Sequence, residues 1–70
     1  MKINIDSVFD SDSEKFSAAV IAPEGSSIKS FCSAQMFESH LSALEGGVRH
    51  LEVTYGKVID WSQVHRITRF

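Results

Sequence analysis

Only one stretch of this chain shows the three- and four-residue spacing of apolar side chains that marks an amphipathic helix, and it is short, covering residues 33–47. Ala34, Phe37, Leu41 and Leu44 recur along one stripe, widened by Met36, His40 and Ala43, while Gln35, Glu38, Ser39, Ser42 and Glu45 fall largely elsewhere. Ser33 has the side chain of an N-cap and Gly46 has the freedom at positive φ that ends many helices, so both ends are signalled. A helix of this length is marginal alone in water. Its stability has to come from burial of the stripe, and the rest of the chain can supply only a sheet for it to lie on.

That remainder alternates. Residues 2–9 set Ile3, Ile5, Ser7 and Phe9 against Asn4, Asp6 and Val8, the period of a strand with one buried face. Residues 15–22 set Phe16, Ala18, Val20 and Ala22 against Ser17, Ala19 and Ile21, apolar enough on both faces for a central strand. Pro23 and Gly25 suit a reversal, after which 27–32 reads as a serine-diluted edge strand. Beyond the helix, 49–55 places Leu51, Val53 and Tyr55 opposite His50, Glu52 and Thr54, which predicts a half-buried strand. A turn at Gly56 and Lys57 then leads into a short returning strand over 58–61. Residues 64–70 fit both periods, and their β-branched content favours a strand.

The expected fold is a single α+β domain over residues 1–70. Its antiparallel sheet has five strands, six if the last segment joins, in the order β-β-β-α-β-β, with one helix packed on one face. Phe37, Leu41 and Leu44 should meet Phe16, Val20, Leu51 and Val53. The opposite face has no second helix to cover it, and a bare apolar sheet face is a surface for a partner.

Composition narrows the function classes. A hydrophobic fraction of 43% and a charged fraction of 23% are those of a globular chain and not of a disordered one. The single cysteine, Cys32, excludes an internal disulfide framework and suits a reducing, cytosolic setting. No apolar run approaches membrane-spanning length, and the first residues lack the apolar core and cleavage site of a signal peptide, so neither a membrane nor export by that route is expected. The net charge of −2 argues for neither a strongly basic nor a strongly acidic partner.

The residues that could carry chemistry are scattered. Asp10, Asp12 and Glu14 alternate as in a calcium loop but lack its glycine and its distal acid, which leaves an acidic loop able to present charge to a protein partner. His40, His50 and His65 with Cys32 have no pair at the close spacing of a zinc site. Cys32 reads as a small half-buried residue at a strand-to-helix junction and not as a nucleophile. Arg49, Lys57, His65, Arg66 and Arg69, together with Tyr55, Trp61 and Phe70, are the nearest approach to a nucleic-acid surface. Glu52 and Asp60 interrupt them, so direct nucleic-acid binding by the C-terminal strand is the second reading. No phosphate loop, paired catalytic acids or hydrolase elbow is present; no cofactor, metal or enzymatic activity is expected.

Small size, slight acidity and a strand-helix-strand core through 28–55 resemble the small phage-encoded inhibitor proteins of the anti-CRISPR type. The resemblance is one of layout. It implies a non-enzymatic protein that acts in the host cytoplasm, binding a nuclease or surveillance complex and blocking it by surface contacts. On the residues themselves, the expected partner is a protein, including a nucleoprotein complex or a second copy of the chain. The expected contact residues are Asp10, Asp12 and Glu14 on the loop, Tyr55 and Trp61 as rings, and Arg66 and Arg69 as cations.

Overall fold

The computed structural model describes residues 2–68. β1 (Ile3–Asp10) and β2 (Lys15–Ile21) fall where the alternation predicts strands and pair as a hairpin, with Ile5 opposite Val20, Ser7 opposite Ala18 and Asp10 opposite Lys15. Its polar turn is locked by side-chain chemistry. The Asp10 carboxylate accepts from the Ser13 backbone N–H at 3.0 Å and from the Ser13 hydroxyl at 2.7 Å. The chain next makes a loop instead of a tight second hairpin. The Ser26 N–H bonds the Pro23 carbonyl at 3.2 Å, and Ile28 turns inward to become 3% exposed. β3 (Phe31–Cys32) is a two-residue edge strand antiparallel to β2.

The helix expected over 33–47 is displaced toward the C-terminus. Residues 33–37 instead run beside β2: the Ser33 N–H bonds the Ala18 carbonyl at 2.9 Å, and Phe16 and Phe37 exchange backbone bonds of 2.8 and 3.0 Å. Helix α1 spans His40–Tyr55, and its N-cap is Ser39, whose hydroxyl accepts from the Ser42 N–H at 3.1 Å. Gly46 and Gly47, read in sequence as its end, lie in its interior. A Cβ on Gly47 would stand 2.5 Å from Ile5 Cγ2, and one on Gly46 would strike the Phe37 ring. Glycine costs a helix interior about 1 kcal/mol relative to alanine; here that cost is offset by the close approach of α1 to the sheet.

The strand expected over 49–55 is therefore helix. Leu44, Val48, Leu51 and Tyr55 continue the helical period into the core, while the β-branched Val53 and Thr54 point outward and are exposed. The strand expected over 58–61 is absent as well. The N–H groups of Val58 and Ile59 both bond the Tyr55 carbonyl, at 2.8 and 3.0 Å, so the chain curls under the helix end and buries Ile59. A single 3-10 turn, Trp61–Gln63, leads into β4 (Val64–Arg66).

β4 pairs with β1 in parallel, Ile3 opposite Val64 and Ile5 opposite Arg66. The sheet is thus four-stranded and mixed, in the order β3-β2-β1-β4, and not the antiparallel sheet of five or six strands expected from the sequence. The cause is the crossover: α1 carries the chain from one edge of the sheet to the other and sets the last strand down in the same direction as the first. α1 covers one face, closing a core of Ile3, Ile5, Val20, Ile28, Leu44, Leu51 and Ile59. Leu41 and Val53, expected inside, are 59% and 78% exposed because the helix stripe is rotated from the one read in sequence.

Candidate functional site

With Leu44, Gly47 and Leu51 buried against the sheet, α1 presents two flanks, and each forms one wall of a groove. On the β3 side, Gly46, His50 and Val53 face Phe31, Met36 and Phe37 across a groove of about 430 Å³. Each wall is placed by a specific contact. The Phe31 ring stacks on His50 with centroids 3.8 Å apart and planes 5° from parallel. Phe37 lies over Gly46, where only a missing side chain leaves room for its ring. Met36 is 63% exposed and Phe31 37%, so the walls are apolar and open to solvent. Arg49 and His50 are the ionisable groups that line it among the described residues, and no carboxylate joins them.

On the β4 side, Leu41, Leu44 and Glu45 of α1 face Val64 and Arg66 across a groove of about 540 Å³. It continues into a second hollow of about 300 Å³, where Trp61 and Val48 meet Val64 and Arg66. Trp61 is 41% exposed and is held by the turn that contains it. The Asp60 carboxylate accepts from the Ser62 hydroxyl at 2.6 Å and the Ser62 N–H at 3.1 Å. Those bonds, the hydroxyl first, lower the Asp60 pKa from its ordinary 3.8. The one ion pair among the described residues joins Lys15 to Glu38, so Glu45 and Arg66 line the same groove without a charged mate.

The residues singled out in sequence are distributed over different elements. Trp61 and Arg66 come together in the β4-side hollow. Tyr55 does not join them: it is half-buried against the core, and its hydroxyl accepts from the Lys29 N–H at 3.3 Å, pinning the loop before β3 to the end of α1. Asp10, Asp12 and Glu14 stand at the β1–β2 turn, with the Asp10 carboxylate engaged by Ser13 and held below its ordinary pKa by that hydroxyl and N–H. Arg69 lies outside the described residues. Arg49 and Arg66 line different grooves on opposite flanks of α1.

The histidines have separate roles. His40 bridges Ser7 and the Ile67 carbonyl, with its Nε2 2.7 Å from that oxygen. A carbonyl only accepts, so Nε2 carries a hydrogen; in the neutral ring Nδ1 then accepts a hydrogen bond from the Ser7 hydroxyl. His50 stacks on Phe31, and His65 is exposed on β4. Among the described residues no group of three His, Cys, Asp or Glu side chains could hold a metal. Cys32, expected half-buried at a strand-to-helix junction, is instead exposed on the edge strand β3 because the helix begins only at His40, and its thiol lies 3.7 Å from the Ser33 carbonyl.

The face of the sheet opposite α1, expected to be a bare apolar surface, is not one among the described residues. Its middle is Ser17 and Ala19, 3% and 9% exposed. Its large exposed apolar residues among those described include Val8, and Ile21 paired opposite Asn4, four positions away along β1. At ~3.3 Å per residue they are about 13 Å apart.

The β3-side groove was hidden in the sequence because Phe31, Met36 and Val53 converge only when 49–55 is helical. The signal was the four-three-four spacing of Leu44, Val48, Leu51 and Tyr55. Compared with known proteins, the chain matches no family model, no curated protein and no solved structure. Among the described residues, no helix is long and apolar enough to cross a membrane.

Proposed function

We propose that this chain is a small non-enzymatic protein-binding module whose partner seats in the groove between α1 and residues 31–37. The observation that carries the reading is the convergence of exposed Phe31, Met36 and Val53 on a groove that Gly46 and Ala18 also line. Rings and flexible apolar side chains in a pocket are the usual anchors of protein interfaces. Arg49, beside them and without an ion pair among the described residues, favours a partner segment that brings a carboxylate.

An inhibitor of a nuclease or surveillance complex, of the anti-CRISPR type, is the specific form we propose. Such a complex presents basic surfaces to nucleic acid, and the exposed carboxylates of Asp12 and Glu14 at the hairpin turn would meet them. The apolar path from that turn to the groove runs through Phe9 and Phe16, whose rings lie 5.1 Å apart.

The test is affinity capture on the immobilised chain, compared with M36E and V53E. Both positions are exposed, so the variants should keep the wild-type circular dichroism spectrum. Proteins enriched on wild type and lost from both variants support the reading, and their identity tests the inhibitor form. Equal enrichment on all three baits overturns the groove as the site. Binding to labelled DNA or RNA that weakens steeply with salt would instead support the nucleic-acid reading.

A further inference from the structure

We infer that the opposite flank of α1 is a self-association surface, on which a second copy of the chain docks about a two-fold axis through the outer edge of β4. This goes beyond the protein-binding reading and rests on a different groove. β4 is an edge strand whose outer side is unpaired among the described residues, and unpaired N–H and C=O groups on an edge are a template for pairing with another chain. Beside that edge, Leu41 and Trp61 are 59% and 41% exposed, which supplies apolar anchors on both sides of Arg66.

Charge selects the occupant. Glu45 on the helix wall and Arg66 on the strand wall have opposite signs, share one groove and have no mate among the described residues. A two-fold axis turns that arrangement into two complementary contacts, Glu45 to the second copy's Arg66 and Arg66 to the second copy's Glu45, without any other partner. The same axis sets the two β4 strands antiparallel. Two four-stranded sheets then continue as one of eight strands, with the Leu41 and Trp61 side chains closing over the seam. A net charge of −2 per copy offers little long-range repulsion to this docking.

Analytical ultracentrifugation of the full chain should show a monomer–dimer equilibrium. E45R and R66E each place like charges in both symmetry-related contacts and should weaken the dimer about tenfold or more. An equimolar mixture of E45R and R66E restores one opposite-charge pair at each contact, so native mass spectrometry should detect the heterodimer where each variant alone is monomeric. W61A should weaken the dimer without changing the circular dichroism spectrum. M36E and V53E, on the other flank, should leave it intact, which separates this inference from the partner-binding groove. A chain that stays monomeric up to about 1 mM, the weak end of specific association, overturns the inference. So does a dimer insensitive to both charge reversals, or a mixture that fails to restore it.

Discussion

Gly47 sits so close to Ile5 that a methyl group added to the glycine would stand 2.5 Å from the isoleucine Cγ2. The middle of α1 therefore rests almost directly on β1, one of the two inner strands. In an ordinary exposed helix, glycine to alanine stabilises by about 1 kcal/mol. Here the sign should reverse. Ile5 is fully buried, with its χ1 held by β-branching, so it has nowhere to move. G47A should destabilise the fold by about 1–3 kcal/mol, the usual range for overpacking, read from the midpoint of urea denaturation.

His40 joins the start of α1 to both β1 and the residue after β4, through Ser7 and the Ile67 carbonyl. Truncating it leaves a half-buried hydroxyl and carbonyl without that partner. H40A should cost about 1–3 kcal/mol. The S7A/H40A double-mutant cycle should show a coupling of at least about 0.5 kcal/mol, as for residues in one hydrogen-bond network. A coupling of zero would mean that the two side chains act independently.

The choice of Ser39 over Ser33 as N-cap is itself measurable. S39A should lose about 1 kcal/mol, the typical value of a serine cap, together with helical ellipticity at 222 nm. S33A should leave α1 unchanged and act instead at the β2 edge, where the Ser33 hydroxyl accepts from the Ala18 N–H at 2.8 Å.

Asp10 and Asp60 both have carboxyls held below the ordinary value of 3.8, each first by a serine hydroxyl and then by that serine's N–H. A carboxylate whose pKa is depressed by folding contributes stability above its unfolded value, and that contribution fades as pH falls through the folded one. Carboxyl carbon NMR should find both midpoints below 3.8. S13A should raise that of Asp10, and S62A that of Asp60, each leaving the other unchanged.

The strands β1 and β2 were legible because Ile3 and Ile5 alternate with Asn4 and Asp6, while 16–21 is apolar on both faces and follows a polar turn at 10–14. The helix was legible in existence but not in position. Serine stands at both 33 and 39 with the same capping chemistry, and paired glycines carry the same letters whether they end a helix or let it press against a sheet. Alternation over 49–55 imitated a strand because Val53 and Thr54, exposed on the outer side of α1, have β-branched side chains. The parallel return of β4 beside β1 has no local signal at all, since only the crossover decides which strand a distant segment meets. Trp61 and Arg66 were legible as surface residues from type alone. Their meeting, and that of Phe31 with Val53, depended on the register of a helix the sequence left open.

The pairing of Ile3 with Val64 has a consequence for assembly. β1 meets β2 through a tight turn, but its other neighbour lies far along the chain, Val64 standing 61 residues after the Ile3 it pairs with. Ile3 and Ile5 stay unshielded along one side until that strand arrives, so collapse into the finished sheet should be governed by long-range encounter rather than by local structure. Removing residues 64–67 would leave β1 as an edge, open to whatever strand it meets first.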